Sequence, residues 1–130
     1  TAQGRLETQS VEERVAATRE SGGILRHTWL QGVGMGNYTL EVESREPGHR
    51  SFYYQPVHNL FLLVFSELGV VGILAFLALL GFAAYSVPCA SWPFLAVLVP
   101  GMFLDHYWWT TASMVALGAL VVVISRQHYE

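Results

Sequence analysis

Two short polar stretches interrupt the oily second half of this chain, and both carry groups able to move protons. His58-Asn59 precedes a long apolar run, and Asp105-His106-Tyr107 breaks the apolar sequence again. Neutral imidazole is the commonest general base near pH 7, which makes His58 the first candidate for catalysis; the bland alternative is an interfacial histidine near lipid headgroups. Glu67 follows nine residues later, which is ~13.5 Å along a helix and, at ~100° per residue, on the opposite face. His58 and Glu67 are therefore not a catalytic pair. A carboxylate inside a membrane helix costs a few kcal/mol or more and signals a function or a partner. On a continuous helix Glu67 shares its face with Leu60, Ala78, Gly81 and Tyr85, a stripe expected to pack on another helix, so Glu67 reads as a structural hydrogen-bonding group. Asp105 reads in two ways: as a helix cap within an aromatic belt, or as part of a polar site on the same membrane face as His58, two crossings away.

Other chemistry is weaker. Gly32-Val33-Gly34-Met35-Gly36-Asn37 lacks the buried strand, the following helix and the glycine spacing of a dinucleotide loop, and reads as a tight turn or a backbone surface held closely against something else. His27, His49 and His128 have no metal-ligand spacing. Cys89 is the single cysteine, so an intramolecular disulfide and a thiolate metal cage are excluded. The arginines at 5, 14, 19 and 26 ordinarily form a solvated face, although an arginine beside a membrane can clamp phosphate bidentately, as lysine does less well.

The elements that must position these groups divide sharply by composition. Of 130 residues 52% are hydrophobic and 13% charged, about half the usual ~25% of charge. Residues 1–55 hold six of the seven Arg and seven of the ten acidic residues, whereas 56–125 hold only Glu67 and Asp105. The second half is too apolar for a water-facing globule. A net charge of −3 without any Lys or basic stripe argues against nucleic-acid binding. We therefore expect a water-exposed segment, 1–56, joined to a membrane segment, 57–130. A bilayer core needs roughly 20 apolar residues in a helix. That predicts spans over 60–87, 92–104 and 108–124, the second short or kinked because of Pro100. In the polar segment, Ser10 with Glu12-Glu13 resembles a cap and acidic first turn, predicting a helix over about 11–21 that stops at Gly22-Gly23. Residues 38–42 alternate like a short strand. The first twenty residues are too polar for a signal peptide.

The order of motifs resembles the O-antigen ligase/polymerase superfamily. It runs Ser10-Val11-Glu12-Glu13-Arg14, then Gly32-Val33-Gly34-Met35-Gly36-Asn37-Tyr38, then Gln55-Pro56-Val57-His58-Asn59. The most specific part is His58-Asn59 followed, after nine residues, by Gly69-Val70-Val71-Gly72. Ser66-Glu67-Leu68-Gly69 and the segment Phe103 to Thr110 fit as well. The resemblance covers almost the whole chain but only the last part of the family's many-spanning, all-α membrane fold, and implies a fragment lacking the earlier helices.

What the resemblance implies is glycosyl transfer without metal or cofactor. The donor would be an undecaprenyl-pyrophosphate-linked glycan and the acceptor a hydroxyl of a glycan, lipid or protein, with ligase and polymerase left open. His58 would be the base, Arg14 the pyrophosphate ligand, and Asn59, Glu67, Gly69, Gly72 and Asp105 supporting residues. Segment 1–56 would lie outside a bacterial inner membrane and the C-terminus inside. Arg45 and Arg50 before the first span favour the opposite orientation by the positive-inside rule; the longer motif match outweighs them. A non-catalytic membrane scaffold and a transporter fragment, with Glu67 in an ion path, are the alternatives.

Overall fold

The computed structural model describes residues 2–49, 53–86, 88 and 92–111. They are helical, with no strand among them: α1 (Ala2–Thr28), α2 (Tyr38–Arg45), α3 (Leu60–Ser86), α4 (Trp92–Leu104) and the single turn α5 (Tyr107–Thr110). α1, α2 and α4 all pack on α3.

α1 is far longer than the expected 11–21. It runs through Gly22-Gly23, and Ser10 lies inside it rather than capping it. Two mid-helix glycines cost roughly 1 kcal/mol each relative to Ala. The helix continues because its next turn buries Ile24, and Ser21 one turn earlier places its hydroxyl 2.8 Å from that of Tyr38. Residues 38–42 form the start of α2, not a strand. Leu40 shows why: a strand would put it on the same face as Tyr38 and Val42, yet it is 61% exposed while they are 1% and 2% exposed. The helical i,i+4 spacing buries the two outer residues and turns Leu40 to solvent.

The hydrophobic core joins Ile24, Tyr38 and Val42 to Val57 and Leu63. It is thus assembled from both the charged half and the apolar half of the chain.

α3 departs most from expectation. By length and composition it is, among the described residues, the one helix able to cross a membrane, but it is not a continuous rod. Gly69 has φ 67 and ψ −165 and divides it into arms of residues 60–68 and 70–86. The Phe61 and Phe76 ring centroids are 6.0 Å apart, where fifteen residues of straight helix would separate them by ~22 Å. The arms therefore fold sharply against each other. At the bend, Val70 N–H donates to the Trp29 carbonyl (2.8 Å) instead of continuing the ladder. The carbonyls of Ser66 and Glu67 accept from Val33 N–H (2.9 Å) and Gly34 N–H (2.8 Å). A Cβ at Gly32 would overlap the Glu67 carbonyl, and one at Gly69 the Leu30 carbonyl.

The bend also corrects the face assigned to Glu67. Glu67 is 4% exposed and Leu60 is buried, but Tyr85 is 89% exposed and Ala78 and Gly81 are exposed too. A helical face does not propagate through a residue with left-handed φ. Glu67 is buried by the first arm's surroundings, not by a stripe continuing down the helix.

Beyond the bend, Val71, Leu74, Leu79 and Phe82 leave a large apolar surface uncovered, of the kind that seeks lipid or another helix. α4 occupies 92–104 as expected, but thirteen residues reach only about 20 Å, short of a ~30 Å bilayer core. The expected third span, 108–124, starts within α5, is extended rather than helical at Thr111, and from residue 112 onward lies outside the described residues.

Two glycines should respond in opposite directions. Gly69→Ala places an L-residue at φ 67 against the Leu30 carbonyl and should destabilise by about 2 kcal/mol or more. Gly22→Ala, with open space around its Cβ, should stabilise by ~0.5–1 kcal/mol. Thermal unfolding of both variants in one detergent measures the pair; equal midpoints would contradict the bend.

Candidate functional site

The first arm of α3 opens on Asn59, whose backbone carbonyl accepts from Leu63 N–H (3.0 Å) and whose side-chain Oδ1 accepts from Leu62 N–H (3.0 Å). This is helix N-capping, and it fixes the residue just before it. His58 is held at the foot of α3 with its ring partly buried.

α4 runs back along α3, and the Phe61 and Phe103 rings meet at 4.5 Å. This delivers the 105–106 dipeptide to His58. His58 Nδ1 lies 3.8 Å from Asp105 Oδ1, and His106 Nδ1 lies 3.5 Å from the same oxygen. The two imidazoles stack with centroids 5.3 Å apart and planes 13° from parallel. The Asp105 carboxylate is oriented by His106 N–H, which donates to Oδ1 at 2.7 Å. His106 Nδ1 is also 3.3 Å from the Thr110 hydroxyl. His58 Nδ1 is closed to solvent and has no hydrogen-bond partner among the described residues.

His106 is the member of this group that sequence reasoning passed over. It is 6% exposed. Burial above all pushes its pKa below the usual histidine value of 6.5, with the neighbouring His58 adding to the effect and Asp105 opposing it. Residues 58 and 106 share no short spacing, so only the folding of α4 against α3 could reveal the pair.

His58 also lines a cavity of about 350 Å³ between α1 and residues 53–56, a volume at the lower end of ligand clefts. α1 contributes Gln9, Glu12, Glu13, Ala16, Ala17 and Glu20; the facing wall is Tyr53, Gln55 and Pro56. At the rim, the single Tyr53 hydroxyl proton lies between two acceptors, Glu46 Oε2 (3.1 Å) and Glu20 Oε1 (3.3 Å). These bonds, the one to Glu46 foremost, and the nearby negative charge push the phenol up to about 12. Partial burial raises the Glu20 carboxyl, with Glu46 repulsion adding to it and the Tyr53 bond opposing it. The cavity thus offers carboxylates, amides and one aromatic ring, the equipment for hydroxyl groups rather than for anions.

The remaining predicted residues fall into two groups. Gly69 and Glu67 belong to the bend, the latter through a main-chain bond to the glycine loop. Gly72, one turn further on, leaves room for the Leu68 side chain, which a Cβ there would overlap. Arg14 is exposed on α1 and does not line the cavity. The structure brings together His58 and Asp105, adds His106, and leaves Arg14 apart.

Comparison with protein-family models, curated proteins and solved structures finds no match to this chain.

A depressed His106 pKa predicts a particular acid response. The unfolded chain binds this proton first, so the contribution of neutral, buried His106 is complete above about 6.5 and is lost as pH falls from there through the lower folded value. His106→Gln should flatten that part of the stability–pH curve, as read by unfolding midpoints between pH 7 and pH 5. An unchanged slope would mean that another group carries it.

Proposed function

We propose that this chain is the C-terminal part of a membrane glycosyltransferase of the O-antigen ligase/polymerase type, with His58 as the base. The observation that carries the reading is the convergence of His58 with Asp105, 3.8 Å apart across two helices, at the edge of a cavity suited to hydroxyl groups. A scaffold or anchor has no need of such a convergence. In this reading the acceptor occupies the cavity, its hydroxyl groups bonded by the glutamate and glutamine side chains of α1.

The acceptor oxygen attacks the anomeric carbon of the lipid-linked glycan while His58 takes its proton. The new glycosidic C–O bond forms as the bond to pyrophosphate breaks, and the electron pair leaves with undecaprenyl pyrophosphate. Asp105 supplies the counter-charge for the imidazolium that results. Glu12, Glu13 and Glu20 disfavour a pyrophosphate inside the cavity, so the donor headgroup lies outside it. Arg14, on the exposed side of α1, is assigned to it because a guanidinium can hold two phosphate oxygens at once.

This assignment sets the topology: 1–56 outside the cytoplasmic membrane of a bacterium, and the helices from 57 onward in or against the bilayer. The three-span arrangement belongs to the same proposal, α4 and the segment after α5 being completed by helices of the remainder of the protein.

His58→Ala should lower glycan transfer by roughly 10²–10⁴-fold, the usual contribution of a general base, at normal membrane levels and with donor binding largely retained. Purified protein with lipid-linked donor and acceptor provides the assay. Near-wild-type transfer would remove the base assignment, and loss of binding together with transfer would move His58 to the donor site.

Arg14→Lys should impair transfer more than Arg19→Lys, because an ammonium does not reproduce a bidentate contact. Equal activities at matched protein levels would discard the phosphate role for Arg14.

A further inference from the structure

A base must present a free nitrogen to its substrate, and a neutral imidazole has one nitrogen protonated and one free. We propose that His106 is a positioning residue, whose ring holds His58 with Nδ1–H toward Asp105 and the free Nε2 toward the cavity. This rests on the proposed role of His58 as base.

The two nitrogens of His58 have different surroundings. Nδ1 is closed to solvent and has no hydrogen-bond partner among the described residues. The carboxylate oxygen it faces is Asp105 Oδ1, at 3.8 Å. A lone pair on Nδ1 would lie against this oxygen and find no donor, whereas a proton there meets an acceptor of opposite charge. The lone pair then belongs to Nε2. Because His58 also lines the cavity, Nε2 is the nitrogen left to take the acceptor's proton. The 3.8 Å separation is longer than a hydrogen bond, as is common in catalytic pairs before substrate binds. At that length Asp105 orients the ring only weakly, and the His58 side chain keeps 27% of its surface exposed. Something else must limit its rotation.

His106 supplies the limit. Its ring lies 5.3 Å from that of His58 with the planes 13° from parallel. A neighbour stacked in this way consumes neither nitrogen of His58 and restricts the plane in which both lie. The wall is itself fixed. His106 is 6% exposed, the Thr110 hydroxyl is 3.3 Å from its Nδ1, and the Tyr107 ring meets it edge-on at 4.9 Å. Burial lowers its pKa below 6.5, so near pH 7 it places no cation beside the imidazolium that His58 becomes. The main-chain N–H of the same residue donates to Asp105 Oδ1 at 2.7 Å. One residue thus sets both the plane of the base and the carboxylate that the base faces.

The test separates a ring face from mere bulk by comparing His106→Leu with His106→Phe. Both remove the titrating nitrogens and the Thr110 contact, and both fill the space; only Phe keeps a face in the stack. In full-length protein with ¹⁵N-labelled histidine, in detergent at about pH 8, ring nitrogen shifts report which nitrogen of His58 is protonated, with His58→Gln assigning the signals. Wild type and His106→Phe should both show His58 protonated at Nδ1. His106→Leu should show a mixture of the two tautomers. In transfer assays His106→Leu should lose roughly 2–10-fold in kcat, the population change that losing one aromatic pair allows, with KM for the acceptor unchanged. His106→Phe should recover most of that loss. Wild-type His58 protonated at Nε2, a Leu variant with wild-type tautomer and kcat, a Phe variant as impaired as Leu, or an effect confined to KM would each overturn the proposal. Should His106→Leu fail to fold, the wild-type tautomer and its retention in His106→Phe decide. The tautomer measurement needs no substrate, whereas the base reading falls only if His58→Ala still transfers, so the two fail separately.

Discussion

Three main-chain hydrogen bonds hold this structure in its shape. Val33 and Gly34 donate to the carbonyls of Ser66 and Glu67, and Val70 donates to the carbonyl of Trp29. A helix that breaks in an apolar setting frees carbonyls and an amide whose desolvation would otherwise cost a few kcal/mol. Here the glycine loop after α1 satisfies them. Glycine is required on both sides of the seam, at 32 and at 69, because each would drive a Cβ into the opposing backbone. The loop that superficially suggests nucleotide binding is a backbone clamp on the bend of α3.

Much else follows from that bend. It separates a buried first arm, held by Ile24, Tyr38, Val42 and Val57, from a second arm whose apolar side chains remain uncovered. It lets α4 return along the first arm, with Phe103 against Phe61, so that Asp105 and His106 reach His58. Had α3 been straight, Phe61 and Phe76 could not approach each other. The chemical groups are therefore placed by backbone geometry, and only trimmed by their own contacts.

The site joins two environments of different character. On one side is a cavity with three glutamates, suited to hydroxyl groups and hostile to phosphate. On the other are two stacked imidazoles around one carboxylate oxygen, a set of groups able to pass a proton. His58 belongs to both, which makes it the residue through which occupancy of one side would be felt on the other.

Composition and periodicity were enough to separate the charged half from the oily half, to place apolar helices over 60–87 and 92–104, and to single out His58, Glu67 and Asp105 as the exceptional polar groups. Those are local properties, set by side-chain type and by the absence of charge. Helix bounds were less legible. The glycines at 22 and 23 do not end α1, and residues 38–42 are helical, because burial against α3 outweighs propensities worth about 1 kcal/mol or less. What only the tertiary structure decided was the direction of the chain at Gly69, a glycine that by itself is equally compatible with a straight helix. Its left-handed φ is stabilised by backbone partners more than thirty residues away, and no pattern of side chains encodes main-chain hydrogen bonding at that range. The burial of Glu67 on a face that stops at the bend, and the pairing of His58 with His106, depend on that same long-range choice.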